Sequence, residues 1–165
     1  MNSLISQIFK NANSILDLVI PYLLLIRICS NKRIFSNALR NALIILNKLG
    51  ENMDLNQSIT PSKSEILGTK KIVGESMDSI LELKEMDDIK LLSIMEILNT
   101  VSFSTLITGN LKVLTLLAIK MIQLTMHYKI SKYVSTAFYL FAITLCRYRG
   151  KSSYDFGKLS LKLLE

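Results

Sequence analysis

Pro21 and Pro61 are the only prolines in the chain and its six glycines are thinly spread, so long stretches carry nothing that would break a helix. Leucine, isoleucine, lysine, methionine and alanine dominate those stretches, a composition that favours helices over short strands. A sheet fold would need more turn residues, and the expected class is all-α. At 165 residues the chain has room for one domain with a real core. Half of it is apolar and the mean hydropathy is +0.36, which raises the question whether some apolar surface faces lipid or a partner.

Residues 18–28 read as an apolar helix with Pro21 in its first turn, where a missing N–H costs nothing, and residues 4–16 as its antiparallel partner. Over 32–49 apolar side chains recur at Phe35, Ala38, Leu39, Ala42, Leu43 and Leu46, with Gly50 as a stop. Small Ala38 and Ala42 would let another helix approach closely. Residues 51–61 form the one long polar loop, and Ser62-Lys63-Ser64-Glu65 then has the spacing of a capping box. Gly74 is expected to end that helix, leaving 76–83 as a short acidic turn or helix. Asp87 or Asp88 would cap a helix to about Val101 with Ile89, Leu92, Met95 and Ile97 or Leu98 inward. Asn110 would cap another through Tyr128, on which Leu111, Leu114, Ala118, Met121 and Thr125 form one stripe. A helix over 132–149 is apolar nearly all round, and 152–164 follow with Phe156, Leu159, Leu163 and Leu164 on one side.

About seven to eight helices in antiparallel pairs with short links make an α-α solenoid or an irregular bundle. The expected organisation is one helical-repeat segment over 1–165, with first helices in 1–50, the loop at 51–61 and a second helical block over 62–165. Neither end supplies the polar cap a repeat array needs, so the segment reads as an excerpt of a longer array, open to self-association through its uncapped ends.

The net charge of +7 is arranged in blocks. Five bases and no acid lie between Asp17 and Glu51, seven bases and no acid between Ile97 and Tyr154, and seven acids against Lys84 and Lys90 from Glu75 to Glu96. The bases stand singly among apolar residues rather than clustered with aromatics, which favours solvated faces and internal pairing over nucleic-acid binding. The uncharged run from Tyr133 to Cys146 is 14 residues, short of the roughly 20 that span a bilayer. Asp17 and Pro21 interrupt the first apolar stretch and no small-residue cleavage pattern follows, which argues for a packed helix rather than a signal peptide. Cys29 and Cys146, both in apolar surroundings, make neither a disulfide framework nor a metal knuckle, and a reducing cytoplasm is the expected setting.

No residue is expected to be catalytic, cofactor-binding or metal-ligating. Gly68 to Ser76 departs from a phosphate loop, because five residues separate Gly68 from Gly74 and Glu75 stands where the lysine belongs. His127 is the only histidine and has no ligating neighbour in sequence. Glu82, Glu85, Asp87 and Asp88 lack the spacing of a calcium loop and read as a solvated turn with capping acids. The seven methionines read as core filler, and Phe156, Gly157, Tyr154 and Met121 as packing residues.

From Ala42 onward the chain resembles the tetratricopeptide-like helical region of very large multi-domain signalling proteins. The pieces that carry the resemblance are Leu46-Asn47-Lys48-Leu49-Gly50-Glu51, Met77 to Leu83 with Glu85-Met86-Asp87-Asp88, Ala118 to Thr125, and Tyr154 to Glu165 with its Phe156-Gly157 and Leu163-Leu164. Lys84 stands where that family tends to have proline, and Ile130 where it has glycine. The family joins a kinase-like domain, an AAA-type ATPase, these helices, a GAF sensor and a histidine kinase. The resemblance implies a non-catalytic scaffold or relay whose partners are flanking domains or neighbouring repeats. The alternative is a small membrane-associated helical protein, anchored at the interface by Tyr133 to Cys146 between Lys132, Arg147 and Arg149.

Overall fold

The computed structural model describes residues 7, 10–53, 61–147 and 152–164, and among these the chain is all-α with no strand. After a single 3-10 turn at Leu16–Leu18 come seven described helices: α1 (Val19–Asn31), α2 (Phe35–Lys48), α3 (Lys63–Ile80), α4 (Ile89–Thr108), α5 (Leu111–His127), α6 (Val134–Arg147) and α7 (Ser152–Lys162). Local chemistry sets most of their boundaries. Ser62 and Glu65 form the reciprocal capping box, with Ser62 Oγ accepting from Glu65 N at 3.1 Å and Glu65 Oε2 from Ser62 N at 2.8 Å. Asp88 Oδ1 accepts from the N–H groups of Lys90 and Leu91 at 2.8 and 3.0 Å, and Asn110 Oδ1 from Val113 N at 3.3 Å.

The helices pack in chain order. α1 pairs with α2, α4 lies against both, and α5, α6 and α7 follow, each on its predecessor. Arg27 of α1 meets Glu96 of α4 and Ser30 meets Ser104, so α1 and α4 run in the same direction. Phe35 and Ser36 at the start of α2 share a cleft with Thr108 at the end of α4, which makes α2 antiparallel to both. Thr115, early in α5, meets Thr144, late in α6, at 3.2 Å, and Ser135, early in α6, meets Ser160, late in α7, at 3.2 Å. Three antiparallel pairs therefore stand in series, while α3 lies to one side against α5, with Met77 and Leu81 facing Leu159 of α7.

One apolar core runs through the series. Ala38 and Ala42 are fully buried where α2 is approached, as their size predicts. At the other end of the series Phe156 sits between Phe138 and Phe141, with ring centroids 6.3 and 5.2 Å apart. α3 departs from expectation: it passes through Gly68 and Gly74 and ends at Ile80, so 76–83 is largely the end of this helix rather than a separate turn. Ile66, Thr69, Val73 and Ile80 form its buried stripe, and burying that stripe outweighs the roughly 1 kcal/mol that each interior glycine costs.

α4 also runs further than expected, past Val101 to Thr108. Its later turns are rich in hydroxyl residues, which favour other conformations until their oxygens find a partner. Ser102 Oγ donates to the Leu98 carbonyl at 2.7 Å and Thr105 Oγ1 to the Val101 carbonyl at 2.9 Å, so both can be buried within the helix. Gly109, at φ 67°, then stops it. The expected helix over 4–16 lies partly outside the described residues. Within them the chain has left the helix by Ala12, and the Asp17 carboxylate accepts from Asn13 N and Ser14 N at 3.0 and 2.8 Å. Residues 54–60 of the expected loop also lie outside the described residues.

Candidate functional site

Each sequence feature that invites a chemical reading is placed by the fold. The segment from Gly68 to Ser76 is the middle of α3, so its glycines form no phosphate-cradling loop. His127 occupies the exposed last turn of α5, edge-on to Tyr128 at 6.4 Å. The acidic quartet disperses: Asp88 caps α4, Asp87 bonds Lys129, and Glu82 and Glu85 are solvent-exposed. Among the described residues no three histidine, cysteine or carboxylate side chains gather as a metal site. Phe156 and Met121 are buried as expected, but Tyr154 is exposed, with Lys158 Nζ 4.6 Å from the centre of its ring. Cys146 is exposed too, a correction to its expected apolar setting, while Cys29 is half-buried against the core.

The most elaborate constellation is a clasp between the α3–α4 and α5–α6 connections. Met86 N donates to the Ile130 carbonyl at 2.6 Å, Ile130 N to the Lys84 carbonyl at 3.0 Å, and Lys129 Nζ to Asp87 Oδ1 at 2.8 Å. Lys84 and Ile130 thus meet through their backbones. Beside the clasp lies a groove of about 490 Å³ lined by Met86, Ile89, Glu96, Tyr133 and Leu163 among others. Burial raises the Tyr133 hydroxyl above the usual phenol range, which leaves it neutral. The polar part of its lining includes the carboxylates of Glu85 and Glu96, the Lys132 ammonium and the Tyr133 phenol.

The hydrogen bond from Lys129 holds the Asp87 carboxyl below the usual carboxylate range, and hydrogen bonds from Ser14 and Ser62 do the same for Asp17 and Glu65. Groups depressed on folding contribute stability above their unfolded values near 4 and lose it as pH falls through the lower folded values. The thermal midpoint should therefore decline on the acid side, and Asp87→Asn should flatten that decline by lowering the midpoint at neutral pH while leaving the acid end little changed. Melting curves across the acid range check this; an unchanged slope would sever Asp87 from acid stability.

Compared with protein-family models, curated proteins and solved structures, the chain matches none. What it can do must therefore be read from its surfaces. The run from Tyr133 to Cys146 is mainly core: Ala137, Phe138, Leu140, Phe141 and Leu145 are buried against α5 and α7. Among the described residues the helix that has the length and composition to cross a membrane is α4, at 20 residues, and eight of its side chains are buried among the neighbouring helices. α4 does leave Phe103 and Ile107 half or more exposed, beside a groove of about 430 Å³ shared with Arg27, Ser30 and Asn31 of α1.

Where α1, α4 and α6 end and α2 and α5 begin, the two acid-free blocks of the sequence come together. This end of the bundle presents Lys32, Arg33 and Lys112 to solvent with Ile34, Phe103 and Ile107 among them. Arg33 occupies the left-handed position that closes α1, at φ 59°, and Ile34 N donates to the Cys29 carbonyl at 2.8 Å across it. Gly50 and Gly109 fill the equivalent positions after α2 and α4, at φ 87° and 67°. Nothing in the sequence marks an arginine for this conformation, which is why reading the sequence missed it.

Proposed function

We propose that the chain is a non-catalytic helical scaffold, a cytoplasmic interaction module that links or restrains domains of a larger signal-transducing protein. The observation that carries this reading is the outer face of α7 and the turn that follows it, where Tyr154, Leu161 and Leu164 are 67%, 65% and 71% exposed although the same segment seats Phe156 and Leu159 in the core. A helix with apolar groups on both faces is suited to sit between two layers, and a flanking domain or neighbouring repeat would cover the outer one. Serial packing supports a mechanical role as well, because each helix pair leans on the next and a push at one end has a contiguous path to the other.

The chain expressed alone without detergent tests the proposal through light scattering coupled to size exclusion and far-UV circular dichroism. The expected result is a helical, soluble species that self-associates through α7, with Leu161→Lys shifting it to monomer at unchanged helicity. Aggregates that only detergent disperses would overturn the reading.

A further inference from the structure

We infer that the basic end of the bundle is a docking surface for an anionic membrane, which goes beyond the scaffold reading and does not depend on it. The surface is assembled from the α1–α2 and α4–α5 turns, with Lys32, Arg33 and Lys112 exposed on them. Residues 18–50 and 97–154, which supply most of this end, contain no acid. α7, antiparallel to α6, begins at the same end and brings one acid, Asp155, which lines a cleft with Met77, Leu81, Lys158 and Lys162. Four bases away from this end are paired with carboxylates: Arg27 with Glu96, Lys71 with Glu75, Lys129 with Asp87 and Lys120 with Glu51.

Charge alone would suit any polyanion, but bulky apolar groups stand beside these bases, Ile34 on the α1–α2 turn and Phe103 and Ile107 on the last two turns of α4. Ile34 is 42% exposed, Phe103 51% and Ile107 72%. Exposed apolar side chains beside bases fit a lipid interface, where the bases sit among anionic headgroups and the apolar groups reach the acyl boundary. A nucleic-acid backbone offers Ile34 and Ile107 nothing to bury against. α1 and α4 run parallel and both end here, so the bundle would stand with these two helices upright on the surface.

Arg33 supplies an independent argument. A non-glycine residue held in the left-handed region is strained, and two other helices of this chain show the relaxed solution by ending on Gly50 and Gly109. Strain kept at an exposed, charged tip points to a use for the charge outside the fold. Arg33→Gly should therefore move two readouts in opposite directions, raising the thermal midpoint while weakening membrane binding.

The test is co-sedimentation of the full chain with mixed phosphatidylcholine–phosphatidylserine vesicles and with pure phosphatidylcholine vesicles, at low and high salt. The expected result is binding to the mixed vesicles only, reversed by salt. Each base removed should weaken it about fivefold, and K32Q/R33G/K112Q together about a hundredfold at unchanged helicity. Ile107→Ser should weaken it further without altering its salt dependence. Equal binding to both vesicles, binding to neither, or wild-type affinity in the triple variant would overturn the inference. So would an Arg33→Gly variant that melts earlier than wild type, since Arg33 would then serve the end of α1 rather than a membrane. A duplex oligonucleotide bound as tightly as the mixed vesicles, and equally by the Ile107→Ser variant, would assign the end to polyanions in general and overturn it too.

Discussion

Phe156→Ala should lower the free energy of unfolding by about 3–5 kcal/mol. The Phe156 ring is 1% exposed and packs on Phe138 and Phe141 of α6, both fully buried, so its removal leaves a void that α6 and α7 must collapse to fill. α6 is held between α5 and α7, which limits that collapse. Urea denaturation followed by circular dichroism measures the loss directly. A change near 1 kcal/mol would mean that α7 swings in to close the gap and is held more loosely than its packing implies.

The second large effect falls on a polar pair. Ser135 Oγ donates to the Ser160 carbonyl at 2.8 Å while Ser160 Oγ donates to the Ser135 carbonyl at 2.9 Å, and both residues are buried. The Ser160 carbonyl lies in the last turn of α7, where Leu164 N bonds Leu161 instead, so the Ser135 hydroxyl stands in for the missing helical donor. Ser135→Ala leaves that carbonyl unsatisfied and should cost about 1–3 kcal/mol. Ser160→Ala should cost less, because the Ser135 carbonyl sits in the first turn of α6, where a helical donor four residues on is in place. The double variant should cost less than the sum, since each single change damages the same paired contact. A strictly additive double mutant would deny that the two hydroxyls act as a unit.

Features with a local cause were legible in the sequence. Ser62 with Glu65, the Asp87–Asp88 pair and Asn110 announced helix starts, and Gly50 a stop, because a cap or a left-handed turn is decided within a few residues. Gly74 misled because whether a glycine ends a helix depends on what its neighbours bury, and Val73, Met77 and Ile80 all pack inward from the same stripe. The extension of α4 was hidden for a related reason: Ser102 and Thr105 weaken a helix in water and suit one in a core. The clasp of Lys84 and Met86 with Ile130 joins residues more than forty apart and leaves no trace in either segment. For the basic end the sequence showed its two acid-free blocks but not that they meet, because only the relative directions of α1, α4 and α5 bring them to one place.

Packing in chain order also has a consequence in time. When each helix rests on the one before it, contacts are mostly local in sequence, and chains of low contact order close their loops cheaply and fold in microseconds to milliseconds. The pairs α1 with α2, α4 with α5 and α6 with α7 can each form before the others exist, so a chain emerging from the ribosome would hold finished hairpins while its later helices were still unmade. α3 breaks the order, because its main partner α5 follows only after α4. Its apolar stripe of Ile66, Val73 and Ile80 must wait uncovered, and that interval is when the growing chain is most open to a chaperone or to a stray neighbour.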